Sequence, residues 1–330
     1  GPVTVNLNLV RFSDGVEFTF ADTELSPGEY VLIVRDRAVF EAKYGAGLPV
    51  AGQYVGSLNN AGETIKIRDA AGAVIQSVRY CDDWYGITDG ADFSLTAVAP
   101  SGTSVWNRQT AWRPSAMAGG SPGFDDSGEV PAPGTVVINE VLANATDGVP
   151  DWVELHNRSD APVDVSGWFL SDSDNDLMRY EIGLGTVIPA QGYVVLTEDE
   201  HFGNEGDIGC RVAFGLSRRG EMLYLHSGSH GVLTGYSERV TFGPSEAGVT
   251  LGRHRTGTGS DDFTTLSEPT PGEANAYPLV GPVVISEIMY HPDVSKDAEY
   301  IELLNISDED VIFYDFVREA PWGFTDDPED

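Results

Sequence analysis

Between Val136 and Trp168 apolar and polar positions alternate with the period of two that a pleated strand imposes. VVINEVL and DWVELHN are two strand-like runs parted by a turn bearing Gly, Asp and Pro. In the second, Val153 and Leu155 share one face while Trp152, Glu154 and His156 share the other. That pattern predicts a half-buried strand, one face in a core and one in water. PVDVSGWFL follows, with Val163, Val165 and the pair Gly167-Trp168, and reads as a third antiparallel strand whose Trp168 closes the core.

The pattern returns further along. VVISEIMYHP and AEYIELLN, within residues 283–305, repeat the first two runs, with Glu287 and Glu302 where Glu140 and Glu154 stand. LSRRGEMLYLHS echoes LNNAGETIKIRD, and Thr270-Pro271-Gly272 echoes Ser121-Pro122-Gly123. Shared landmarks in a shared order indicate duplication. The chain then divides into repeat one (1–125), a Pro-bearing linker (126–134), a complete repeat two (135–276), a second linker (277–282) and the opening strands of repeat three (283–330). Repeat one is expected to lack its opening strands, because VTVNLNLVRFSDG aligns with PVDVSGWFLSDSD rather than with VVINEVL. Short strands joined by turn residues make the class all-β, each complete repeat a two-sheet sandwich, with helix confined to pieces such as DRAVFEAKYG.

INEVLAN, DWVELHN, APVDVSGWFLSD and IPAQGYVVL, standing in that order, resemble the lamin-tail domain. The resemblance implies tandem immunoglobulin-like (lamin-tail-like) β-sandwiches. RFSDGVEFTF and AVFEAKYG look like the version found in large surface or secreted proteins of planctomycete-type bacteria. Members of the family serve mostly as non-enzymatic modules attached to other functions, so the likeness implies a fold more than a task.

Charge narrows the partners. The 52 acidic and 19 basic residues leave a formal net charge of −33, and the last fifty residues carry 14 acids against Lys296 and Arg318. Such a field repels nucleic acid and anionic membranes, and it favours solubility and cations. No apolar run approaches the roughly 20 residues of a membrane helix, so no direct membrane insertion is expected; an export signal or anchor would lie outside these residues. Cys81 and Cys210 fall in different repeats, which excludes a disulfide framework and a Cys-based zinc site. They read as buried free thiols, with a bridge between repeats as the alternative.

Asp172, Asp174 and Asp176, at alternate positions of SDSDND, are the candidate metal ligands, and calcium is the cation such a loop would take. The glycine and distal glutamate of a helix-loop-helix calcium site do not follow in register, and a plain polar loop explains the same residues. Repeat three offers Asp326, Asp327 and Asp330 instead. Glu140 and Glu154 should sit on adjacent strands. Paired acids suit glycoside hydrolysis, but in strands they more often accept backbone hydrogen bonds. His226 and His230 read as exposed turn histidines. Trp106, Trp112, Trp152, Trp168 and Trp322 would fill cores before they line a groove. No nucleophile elbow or phosphate loop is present, no cofactor is required and no catalytic residue is expected.

These readings lead to a non-enzymatic extracellular or cell-surface module, structural or adhesive, whose partners are further copies of itself or neighbouring repeats. An incomplete repeat at each end suggests either head-to-tail polymerisation by strand complementation or a window of a longer chain whose next residues finish repeat three. The alternative is a spacer or targeting region of a larger multidomain extracellular enzyme.

Overall fold

The computed structural model describes residues 3–100, 106–126, 130–146, 148–257, 259–293, 295–315 and 320–323. Repeat one contains β1 (Val5–Asn6), β2 (Arg11–Asp14), β3 (Val16–Thr19), β4 (Glu24–Leu25), β5 (Leu32–Val34), α1 (Arg37–Tyr44), β6 (Val50–Gln53), β7 (Val55–Gly56), β8 (Thr64–Arg68), β9 (Val74–Arg79), β10 (Leu95–Ala97) and β11 (Trp112–Pro114). α1 begins where the Asp36 side chain accepts from the Val39 N–H and ends at Gly45. One sheet is continuous, in the order β7-β3-β2-β8-β9. The opposing layer is split into two separate pairs, β5 with β6 and β10 with β11.

Repeat two contains β12 (Val136–Leu142), β13 (Trp152–Asn157), β14 (Val163–Asp164), β15 (Phe169–Ser171), β16 (Tyr180–Glu181), β17 (Val187–Ile188), β18 (Tyr193–Thr197), β19 (Glu221–Ser229), β20 (Val232–Phe242), β21 (Leu251–Arg255) and β22 (Asp261–Thr265). Two sheets, β18-β13-β12-β21-β22 and β16-β15-β19-β20, enclose one apolar core. Ile138, Val141, Val153 and Leu155 come from the first sheet; Leu170, Leu223, Leu225 and Tyr236 come from the second. The Tyr236 hydroxyl joins the layers, accepting from the Val136 N–H at 3.0 Å and donating to the Val136 carbonyl. Trp168 is buried against Tyr236, with ring centroids 4.8 Å apart.

Two expectations change here. PVDVSGWFL is two strands rather than one: Gly167 takes φ 75°, a turn closes from the Trp168 N–H to the Val165 carbonyl, and β14 and β15 enter different sheets. β13 is buried on both faces rather than one, with only His156 half-buried, because residues 270–275 fold over its outer side. The second linker bonds to repeat two. Tyr277 accepts from the Ser267 N–H, and the Leu279 N–H donates to the Thr265 carbonyl, so the segment lies along the end of β22. Similarly, Asp126, read as the first linker residue, is tied to repeat one by Arg113 at 2.6 Å and by the Ala116 N–H.

Repeats one and two touch. β20 is an edge strand, and its Gly235 N–H donates to the Ala116 carbonyl at 3.1 Å while Arg239 donates to the Asp83 carbonyl at 2.6 Å. A Cβ at Gly235 would stand 2.1 Å from the Ser115 carbonyl oxygen, so glycine is what admits the approach.

Repeat three contains β23 (Val283–Met289), β24 (Tyr300–Asn305), β25 (Tyr314–Asp315) and β26 (Ala320–Pro321). β23 and β24 pair from Val283↔Asn305 to Met289↔Tyr300, with a bulge between Ile285 and Glu287. β12 and β13 pair from Val136↔Asn157 to Leu142↔Trp152, with a bulge between Ile138 and Glu140. The two hairpins are copies down to the irregularity, which in both places the glutamates opposite each other.

Candidate assembly site

The paired glutamates of repeat two form a closed structural site. Glu140 accepts from the Thr270 N–H at 3.1 Å and the Thr270 hydroxyl at 2.7 Å. Glu154 accepts from the Gly272 N–H and from Asn139 Nδ2 at 2.7 Å. Asn139 in turn donates to Asn275 Oδ1 at 2.6 Å. The Thr270-Pro271-Gly272 turn is therefore a cap on two carboxylates that no solvent reaches. Burial pushes the Glu154 carboxyl up to about 7; the Gly272 N–H and Asn139 oppose that shift and the charge of Glu140 adds to it. With the carboxylates turned to the cap and to Asn139 and both residues fully buried, the pair presents nothing to a substrate.

The metal candidates do not converge. Asp172 pairs with Arg179 at 2.8 Å, Asp174 accepts from Asn175 Nδ2 at 2.6 Å, and Asp176 accepts from the Met178 N–H at 3.3 Å. Asp326, Asp327 and Asp330 lie outside the described residues. Among the described residues one group of three close ligand atoms occurs, Cys81, Asp82 and Asp83, signalled in sequence only by the run CDD. The Asp83 backbone draws the Cys81 thiol down, but burial and the two carboxylates outweigh it and leave the thiol raised, which disfavours the thiolate a soft metal needs. Cys81 and Cys210 are both free and partly exposed, so they are neither bridged nor fully buried.

The two histidines part company. His230 is exposed at the turn, with φ 52°, but His226 is buried within β19 rather than exposed. Neither of its ring nitrogens makes a well-aligned hydrogen bond. Burial lowers it to about 4, and an imperfect contact with the Tyr236 backbone offsets only part of that shift. Trp152 and Trp168 are core residues, Trp106 and Trp112 are half-buried, and Trp322 is exposed.

What remains open is the hairpin of repeat three. Ile138 and Val141 are 0% exposed, whereas their counterparts Ile285 and Ile288 are 55% and 56% exposed; Ile301 and Leu303 are likewise exposed where Val153 and Leu155 are sealed. Among the described residues Phe313 and Trp322 line a cleft with Ile285 and Leu303, and Ile288 and Ile301 stay exposed.

Repeat one has the complementary opening. β5 corresponds to β18: the Glu29 N–H donates to the Ser26 carbonyl as the Gly192 N–H does to the Pro189 carbonyl. β10 corresponds to β21, the Ser115 N–H donating to the Ser94 carbonyl as the Leu266 N–H does to the Thr250 carbonyl. In repeat two, β13 and β12 fill the space between these strands; in repeat one no strand does so among the described residues. Leu32 donates to the Pro49 carbonyl and Val34 accepts from the Tyr54 N–H, so the alternate residues Val31 and Ile33 present their amides to the opening. By the same alternation, the Val98 N–H bonds to the Ala111 carbonyl across β10–β11, leaving Leu95 and Ala97 to face inward. Ile65 and Ile67, counterparts of the sealed Leu223 and Leu225, are half-buried and line a cleft of about 750 Å³ with Phe93 and Leu95.

Residues 129–240 match the family described as Lamin Tail Domain, a structural, immunoglobulin-like module. No curated protein and no solved structure matches the chain.

Proposed function

Residues 129–240 are a lamin tail domain, and from that premise we propose that the chain is a non-catalytic structural or adhesive module of a bacterial surface or secreted assembly, joined head-to-tail by strand complementation. The observation that carries this reading is the β23–β24 hairpin, which repeats the register and bulge of β12–β13 but leaves exposed the apolar face that the latter buries. A contact between the hairpin of one copy and repeat one of the next is heterologous, so it propagates unless it closes into a ring. The −33 charge keeps such a polymer soluble and the joints sensitive to salt.

A spacer role within a larger extracellular enzyme is favoured by a different observation, the seam between repeats. Bonds from Gly235 to Ala116 and from Arg239 to Asp83 tie repeat one onto the edge of repeat two, which stiffens the tandem.

Light scattering across concentration compares the 330-residue chain with a version ending at Ala276. Assembly by the full chain alone is the expected result, and equal monomeric mass for both contradicts the head-to-tail reading.

A further inference from the structure

We infer that the opening between β5 and β10 is a receptor for the β23–β24 hairpin of a second copy, and that the Ser121-Pro122-Gly123 turn latches its two glutamates. This rests on the head-to-tail reading and specifies where and in what register the copies meet.

The turn supplies the argument. In repeat two Thr270-Pro271-Gly272 closes with the Glu273 N–H on the Thr270 carbonyl, Gly272 at φ 85°, and caps Glu140 and Glu154. In repeat one Ser121-Pro122-Gly123 closes with the Phe124 N–H on the Ser121 carbonyl, Gly123 at φ 84°. The shape is the same, yet the Ser121 N–H, the Ser121 hydroxyl and the Gly123 N–H meet no acceptor among the described residues. Gly123 lines a cleft together with Val31, beside the open edge of β5. Repeat three holds the other half: Glu287 stands opposite Glu302, and Ser286 donates to Glu302 at 2.6 Å as Asn139 donates to Glu154. Among the described residues repeat one has the donors without the carboxylates, and repeat three has the carboxylates without that turn.

Transferring the register of repeat two fixes the joint. Glu154↔Val195 becomes Glu302↔Leu32, His156↔Tyr193 becomes Leu304↔Tyr30, and Val141↔Leu251 becomes Ile288↔Leu95. Ile285, Ile288, Ile301 and Leu303 then cover Ile65 and Ile67. Repeat one departs from repeat two in one corner. Asp126 stands where Asn275 stands but turns to Arg113, so Thr96 replaces Gly252, whose missing Cβ makes room for the Asn275 side chain, without a clash.

Two 330-residue variants test the site, both with Cys81→Ser and Cys210→Ser, one adding Tyr30→Cys and the other Leu304→Cys. Those positions form a non-hydrogen-bonded pair, whose close Cα spacing suits a disulfide. After mixing and mild oxidation, a heterodimer linked through residues 30 and 304 should form at least about tenfold more than with Leu303→Cys, which faces the opposite side of the strand. Glu287→Ala with Glu302→Ala should lower the yield about tenfold at fixed concentration, as expected for lost charge-assisted bonds; an unchanged yield overturns the latch. Association by light scattering without this cross-link overturns the receptor and leaves the head-to-tail reading standing, whereas neither association nor cross-link overturns both. A chain carrying both cysteines that links only to itself overturns the second copy as the occupant.

Discussion

Glu287 faces Glu302 across β23 and β24 in the register, and after the bulge, by which Glu140 faces Glu154 across β12 and β13. The two pairs differ in surroundings alone. The second is sealed beneath the Thr270–Gly272 turn, while the first lies on an exposed hairpin. The same hairpin thus occurs once buried within a two-sheet sandwich and once with its counterpart residues exposed.

The core of the finished repeat gives the first prediction. Trp168→Ala removes an aromatic packed on Tyr236 and should cost about 3–5 kcal/mol in denaturant unfolding, through lost transfer energy and the cavity left behind. Tyr236→Phe should cost about 1–3 kcal/mol, because it strands the buried N–H and carbonyl of Val136 without the hydroxyl that serves both. A loss under about 0.5 kcal/mol in either variant would contradict the packing described.

Stability should also vary with pH in a way each variant isolates. Glu154 sits at about 7 in the folded chain, above its ordinary value, so its favourable contribution is present below about 4.5 and is lost as pH rises through 7. Glu238, raised to about 7 by burial despite Arg253, acts in the same direction. His226, lowered to about 4, acts oppositely: its contribution is present above about 6.5 and is lost as pH falls through 4. Compared with the parent, Glu154→Gln should remove a decline of about 2–3 kcal/mol between pH 4.5 and 7.5, and His226→Phe should remove a comparable rise between pH 4 and 6.5. Urea titrations at five pH values measure both differences, and parallel curves for parent and variant would contradict the assignment.

Calcium is tested by melting. The carboxylates of Asp172, Asp174 and Asp176 turn to three separate partners, so millimolar calcium should leave the melting temperature of metal-free protein unchanged within about 1 °C. A clear rise that Asp174→Asn abolishes would show that the loop gathers its ligands around the ion.

Much of this fold can be read from the chain because its repeats restate one another. Alternation at Val153 and Leu155 marks a strand, and the echo of Glu140 and Glu154 in Glu287 and Glu302 marks a second hairpin. The cap is not legible, since Thr270 stands 130 residues from Glu140 and only the folded chain brings them together. For the same reason Glu154 reads as solvent-facing although the Gly272 N–H covers it. His226 misleads locally: SGSHG resembles a turn, but a bulge between His226 and Gly228 carries β19 on to Ser229 and the reversal comes at His230. Gly167 hides in a run of strand formers, and its positive φ splits that run in two. The opening between β5 and β10 is visible only by laying one repeat over the other.

Hydrogen exchange on the full chain at low and high concentration tests the central claim most directly. β12 and β13 are sealed within one chain and should be protected at every concentration, whereas β23 and β24, together with the inward amides of Val31, Ile33, Leu95 and Ala97, should gain protection as concentration rises. Fast exchange in β23 and β24 that stays unchanged at the highest concentration would contradict strand complementation.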